Sequence, residues 1–219
     1  MTELTEEMRQ AIALAKHREQ EHRALYRYLE RKIPALHHSI SLPEQGATEA
    51  LLRFVSAYIE CVPEFIEALS KLARQAGVAR ATERFLAIAA EFFLSPPEII
   101  SQTSGLKDLL GEAYLAHRLI EEINDRMMML SGVPFSPMDM TLSNVIVQDV
   151  LDSEFVNQLD LAVHYAIESL FDAKQAFKDA DFNAYLQNQQ SKGWTEAIAN
   201  WPCLAGDSEI TLNLPGLSF

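Results

Sequence analysis

The residues of this sequence best able to do chemistry are Glu19 and His22, three positions apart in the first long helical segment. On a helix that turns about 100° per residue, His22 shares the face of the apolar residues, and Glu19 lies about 60° to one side. Burying such groups costs several kcal/mol unless they are paired or bind a metal. Three interpretations stay open: a buried pair of Arg18 or His22 with a carboxylate of another helix, a pair of metal ligands, or simple exposure.

Two later helical segments carry a histidine and a glutamate one helical turn apart, which places both side chains on one face, close enough to bind one ion or each other. A solvated helix face is the alternative for each pair. Recurrence near the middle of three long segments supports the metal hypothesis, and carboxylate and imidazole ligands suit iron or manganese. The candidate metal ligands are Glu19, His22, Glu112, His117, Glu121, His164 and Glu168.

Other reactive side chains have simpler interpretations. Glu60, Glu64 and Glu67 lie opposite the apolar stripe of the second long segment and predict an acidic, solvated face. Cys61 on the same segment predicts a small buried residue rather than a nucleophile. The His37-His38 pair falls in a connection and predicts polar loop residues. The sequence has no Gly-x-Ser-x-Gly, Walker-type or Cys-x-x-Cys motif.

A methionine run is the alternative source of a ligand pocket. The simplest interpretation is that these flexible side chains fill irregular core near the end of the third long helix. A methionine-lined pocket for a small apolar ligand stays open. The residues concerned are Met127, Met128, Met129, Met138 and Met140.

Apolar periodicity predicts the elements that must position these residues. Thr5 is a candidate N-cap for the first helix, and Pro63 predicts a kink or break in the second. Gly77 and the Ser95-Pro96-Pro97 run are helix stops. The predicted helices cover about residues 6–33, 48–76, 80–94, 106–130 and 144–180, with short helices at 182–190 and 194–200.

These elements predict an all-α fold, a long-helix bundle with a long crossover between the second and third long helices, at about residues 77–105. A single domain is expected over 1–219, with its core in 6–180 and with short helices and an extended C-terminal tail in 181–219. Ile210, Leu212, Leu214 and Phe219 would anchor that tail. The segment 144–180 is apolar in nearly every direction, which predicts a position in the middle of the domain or under a second subunit.

The charge and cysteine content of the sequence limit the classes of partner that the protein is expected to bind. The 219 residues include 31 acidic and 18 basic ones, for a net charge of −13. Such a surface repels phosphate backbones and anionic membranes, so neither nucleic acid nor a membrane is an expected partner. The acidic N-terminus predicts no signal peptide, and two cysteines are too few for a disulfide framework, so a cytoplasmic location is expected.

In this pattern the chain resembles the ferritin-like di-iron carboxylate superfamily. The resemblance covers about residues 6–180 and rests on Glu19-x-x-His22, on Glu112 and Glu121, and on His164 near Glu168. It implies two irons in the bundle core and oxidation or hydroxylation with dioxygen. A haem-oxygenase-like helical fold is similar to the pattern to the same extent.

Two functional hypotheses follow. The first is a metal-dependent helical-bundle oxidoreductase that draws its ligands from the seven residues above and uses iron or manganese. The second is a non-catalytic homodimeric helical protein that binds a partner or a small apolar ligand; it is motivated by the apolar segment 144–180 and the apolar tail.

Overall fold

The computed structural model of the chain describes residues 1–75, 79–97, 105–131, 140–172 and 209–213. The fold is all-α, as the sequence predicts. None of the described helices combines the length and apolarity that crossing a membrane requires. The elements are α1 (Thr2–His22), α2 (Ala24–Lys32), a 3-10 turn (Ile33–Ala35), β1 (Ile40–Ser41), α3 (Ala47–Gln75), α4 (Ala79–Leu94), α5 (Leu106–Ser131), α6 (Thr141–Val150), α7 (Ser153–Asp172) and β2 (Thr211–Leu212).

Helix α5 is the centre of the fold, because it packs against every other helix of the described residues. Ala113 and Ala116 are fully buried, and their small side chains allow neighbouring helices to approach closely. Leu110, Leu119 and Ile123 fill the space between those helices. A polar side chain on α5 is therefore buried or must find a partner at the helix's edge.

The first long segment is two helices, not one. Arg23, with φ 48° and ψ 41°, adopts the left-handed conformation between α1 and α2. The Glu19 carboxylate accepts hydrogen bonds from the backbone N–H groups of Leu25 (2.8 Å) and Tyr26 (2.9 Å), and so caps the N-terminus of α2. The predicted N-cap at Thr5 is wrong: α1 begins at Thr2, and Thr5 lies buried within it.

The fourth long segment is also interrupted, which changes its predicted place in the fold. Helix α6 ends at Val150 and α7 begins at Ser153. A helical wheel that treats residues 144–180 as one helix superimposes the apolar face of α6 on that of α7. The segment therefore looks apolar in every direction. Helix α7 is not the middle of the domain: its outer face leaves Leu161 51% and Tyr165 66% exposed. The part of the prediction beyond residue 172 lies outside the described residues.

Helix α3 continues through Pro63 without a break. Its acidic face is not simply solvated, because two of the three glutamates pair with α1. Arg9 donates to both oxygens of Glu67, at 2.9 and 2.7 Å, and Lys16 donates to Glu60 at 2.6 Å. These half-exposed pairs fix the register of the two helices more than they stabilise the fold.

The crossover and the tail agree with the sequence where they are described. Helix α4 lies within the predicted crossover and packs against α3 and α5. The tail pairs as β2 with β1 in antiparallel register, Ile40 opposite Leu212, and Ile210 is buried as a tail anchor. The predicted short helices at 182–190 and 194–200, and Met138, Leu214 and Phe219, lie outside the described residues.

The capping role of Glu19 leads to a first prediction. Replacing Glu19 with Ala leaves two buried N–H groups without an acceptor, so the free energy of unfolding in urea should fall by about 1–3 kcal/mol. Glu21→Ala, on the exposed side of the same helix, is the control and should change it by less than about 0.5 kcal/mol. A loss that appears only without a chelator would point instead to a metal ligand.

Candidate functional site

Glu19 and His22, the pair that first suggested a metal site, have different environments in the structure. Both oxygens of Glu19 are engaged by the N-terminus of α2, so its carboxylate is not directed at a shared centre. His22 is exposed as the last residue of α1, and its backbone carbonyl accepts from Arg27 at 2.8 Å. Of the three interpretations left open, simple exposure is the one that applies to His22, because α1 ends there and the apolar stripe continues on α2.

His117 on α5 is fully buried, so the solvated-face interpretation is wrong for this residue. Its ring lies 4.4 Å from the ring of Tyr58 and 5.5 Å, edge-on, from the ring of Phe65. Nε2 lies 2.9 Å from the Tyr58 carbonyl oxygen. Because a carbonyl only accepts, Nε2 carries the proton, and the lone pair of the neutral ring is on Nδ1.

Nδ1 of His117 is buried and has no hydrogen-bond partner among the described residues. Burial lowers the pKa of His117 to about 4, and the hydrogen bond to the Tyr58 carbonyl opposes this shift. Protonation would place a second N–H in an apolar space with no acceptor, so the ring stays neutral at physiological pH. The same environment gives no described partner for a metal bound at Nδ1.

Glu121 joins a polar network that ties α5 to α3 and α6. The Tyr58 hydroxyl donates to Asn144 Oδ1 at 2.6 Å, and Asn144 Nδ2 donates to Glu121 Oε2 at 2.8 Å. The other oxygen of Glu121 accepts from Thr141 at 3.1 Å, and Arg118 forms an ion pair with Oε2. All of these groups satisfy one another, which is the usual state of a structural network.

Arg118 and Asp160 extend this network to α7. Arg118 Nε lies 3.4 Å from Asp160 Oδ1, and the Tyr114 hydroxyl donates to the same oxygen at 3.0 Å. The network therefore links four helices at one side of α5. It orients helices and leaves no described carboxylate oxygen directed at a common metal position.

Glu112 is half-buried on α5, away from the Glu121 network. Burial raises the pKa of Glu112 to about 7, and the nearby charge of Asp108 adds to the effect. The carboxyl group is thus partly protonated near neutral pH. It is a titratable group inside the bundle, without a described partner among the candidate ligands.

His164 and Glu168 on α7 are exposed, as the solvated-face interpretation predicts. Glu168 pairs with Arg126 of α5 at 3.1 Å. Within the described ranges, no three His, Cys, Asp or Glu side chains are arranged to hold a metal ion. The seven predicted ligands do not converge there, and the metal site stays a prediction.

The buried cysteine and the methionine run have ordinary environments. Cys61 is buried as predicted, and burial raises the pKa of its thiol to about 12, so it is not a thiolate at neutral pH. Met127 and Met140 are buried, as expected of core filling, whereas Met129 is 83% exposed. The apolar ligand pocket stays a prediction.

A groove of about 320 Å³ lies where β1, the end of α6 and the start of α7 meet. We call it the polar groove, because six of the nine described residues that line it are polar. Its apolar wall is formed by Ile40, Val145 and Val156. The polar side chains are His37, Ser39, Gln148, Asp149, Ser153 and Asn157.

Backbone contacts from two sides hold the polar groove in shape. Asp149 accepts from the backbone N–H of His37 at 2.6 Å, and Ser39 shares a 2.7 Å hydrogen bond with His37 Nδ1. On the β1 side, Asn213 N–H donates to the Ser39 carbonyl at 2.8 Å. The loop that carries His37 is thus fixed both to α6 and to the C-terminal strand.

Sequence reasoning missed this groove because it joined α6 and α7 into one helix. Asp152 and Ser153 are residues typical of a helix start, and they stand in the middle of the apolar pattern. That signal predicts the junction between α6 and α7. It does not predict that the His37-His38 loop packs against this junction, which depends on a contact more than 100 residues along the chain.

The low pKa of His117 predicts an acid-sensitive contribution to stability. Between pH about 6.5 and 4 the unfolded histidine takes up a proton that the folded one does not, so the folded state loses about 3 kcal/mol. His117→Gln retains a donor for the Tyr58 carbonyl and removes this titration. Urea unfolding from pH 7 to 4 should therefore show a steeper loss in the wild type than in the variant. His164→Gln, at an exposed position, is the control; parallel curves for wild type and His117→Gln would contradict the assignment.

Glu112 predicts the opposite dependence on pH. A carboxyl group whose folded pKa lies above its unfolded value costs stability as pH rises from about 4.5 to 7. Glu112→Gln should raise the free energy of unfolding by about 1–3 kcal/mol at pH 8 and leave it nearly unchanged at pH 4. The exposed Glu154→Gln is the comparison, and an equal gain there would argue against burial as the cause.

Comparison with known proteins gives no family for this chain. No family model matches it, and neither a curated protein nor a solved structure does. The resemblance to the ferritin-like superfamily therefore stays a prediction, and function has to be argued from the geometry of the side chains.

Proposed function

We propose that this protein is a helical binding protein that takes a small polar molecule in the polar groove. The observation that carries this proposal is the convergence of six polar side chains, from three separate segments, on one cavity of about 320 Å³. Small-molecule sites have volumes in this range and use a few placed polar groups to orient the ligand.

The groove is pre-organised by contacts outside it, which lowers the entropic cost of binding. The Tyr28 hydroxyl of α2 donates to the Val150 carbonyl at 2.8 Å. Lys32 donates to the Leu151 carbonyl at 3.2 Å and to Asp152 at 3.1 Å. Helix α2 thereby holds the junction between α6 and α7, and with it one wall of the groove.

Several groups in the groove are available to a ligand. Gln148, Ser153 and Asn157 are exposed, and their side chains have no hydrogen-bond partner among the residues that the structure describes. Each supplies a donor and an acceptor. A ligand that replaces water at these groups can be oriented without breaking a contact of the fold.

The two functional hypotheses from the sequence both stay predictions beside this proposal. The metal-dependent oxidoreductase stays a prediction, with its candidate ligands at separate places among the described residues; elemental analysis for iron and manganese tests it. The homodimer also stays a prediction, and the exposed Leu161 and Tyr165 on α7 are the residues it would cover.

The proposal is tested by filling the groove. Val145 lines it and is 39% exposed, so Val145→Trp should occupy the cavity without disturbing the core. In a nitrogen–proton NMR screen of small polar molecules at millimolar concentration, ligands should shift the backbone amides of 37–41 and 148–157. Val145→Trp should weaken this binding by at least about tenfold.

Leu161→Trp is the matched control, since it adds the same ring at an exposed apolar position of α7 away from the groove. It should leave the shifts unchanged. A screen in which no molecule perturbs these amides, or in which both tryptophan variants behave alike, would overturn the proposal.

A further inference from the structure

We infer that the ligand class of the polar groove is an uncharged molecule with several hydroxyl groups, such as a cyclic polyol or a monosaccharide. This inference rests on the proposed function and adds the chemistry of the ligand. Three features of the lining carry it: its charge, its pattern of donors and acceptors, and its apolar wall.

The charge of the lining excludes anions as the preferred class. Among the residues that the structure describes, no lysine or arginine lines the groove, and its one carboxylate is that of Asp149. Lys32, which reaches the junction between α6 and α7, is engaged with Leu151 and Asp152. A phosphate or carboxylate ligand would find no cation to offset its desolvation, and the net charge of −13 repels it further.

The Asp149 carboxylate is also occupied in part. One of its oxygens accepts the backbone N–H of His37 at 2.6 Å, so the carboxylate already holds the loop in place. A cationic ligand would have to share this group. An amine is the competing class, and the experiment below separates it from a neutral ligand.

The polar groups of the lining both donate and accept. The amides of Gln148 and Asn157 and the hydroxyls of Ser39 and Ser153 each have both capacities. A ligand hydroxyl also has both, so it pairs with either end of an amide. An ammonium only donates and an ionised phosphate only accepts, so each would leave part of the lining unsatisfied.

The apolar wall suits the same class. Ile40, Val145 and Val156 are the apolar residues of the lining, and Val145 is the most exposed of them. Ring polyols and sugars present C–H groups on their faces and hydroxyls at their edges. Such a molecule can place its face on Val145 and its edge on the amides, and so bury apolar surface without losing hydrogen bonds.

Matched probes test the class on the full chain. Glucose and myo-inositol are titrated by NMR beside glucose 6-phosphate, myo-inositol 1-phosphate and glucosamine, following the amides of 37–41 and 148–157. The neutral probes should shift these amides, and a phosphate should weaken binding by at least about tenfold. Glucosamine should bind no more tightly than glucose.

Two variants that make the same amide-to-carboxylate change at neighbouring residues supply a test and its control. Asn157→Asp removes two amide donors and adds a charge within the groove, so glucose or inositol should bind roughly threefold to tenfold more weakly. Gln158→Glu adds the same charge at the next residue, which does not line the groove, and should change affinity less than twofold.

The possible results distinguish the inferred ligand class from the proposed binding function of the polar groove. Tighter binding of a phosphate or of glucosamine at the groove amides would overturn the uncharged class and leave the binding function standing. Failure of all five probes, with a groove ligand found in the wider screen, would do the same. Failure of both the probes and the screen would overturn the binding function itself.

Discussion

The central position of α5 is the constraint on which the rest of the structure depends. A helix that packs against every other described helix buries several of its polar side chains, and each buried group needs a partner or must give up its charge. Glu121 finds partners in Asn144 and Thr141 of α6 and in Arg118. His117 instead stays neutral against Tyr58 and Phe65. Two of the residues that suggested metal chemistry, His117 and Glu121, thus have environments set by the packing of this helix.

Helix junctions place the remaining polar groups. At Arg23 the chain turns through a left-handed residue, and Glu19 supplies the acceptor that the new helix needs. At the junction between α6 and α7 the backbone carbonyls of Val150 and Leu151 are held by side chains of α2. Both junctions interrupt apolar patterns that look continuous in sequence. The second one opens the polar groove, so the candidate binding site results from a helix break and not from a helix face.

The distribution of cations follows from the same packing. The chain is acidic, and several of its cations are used where helices meet: Arg9 and Lys16 between α1 and α3, and Arg118 and Arg126 between α5 and α7. These pairs set the register of helices that share acidic faces. Among the described residues that line the polar groove there is no lysine or arginine, so we infer neutral hydrogen bonding as its chemistry.

The sequence by itself determined the all-α class, most helix positions, the crossover occupied by α4 and the buried Cys61, because these follow from apolar periodicity and residue type within one element. For His164 and Glu168 it left a solvated face and a pair of metal ligands open, and both residues are exposed in the structure. Only the tertiary structure decided that His117 is buried while His22 is exposed, since this depends on which helices cover each face. The groove likewise needed the contact between His37 and Asp149, which lie far apart in the chain. Periodicity describes the faces of a single helix, and it contains no information on where that helix breaks or on which distant loop packs against the break.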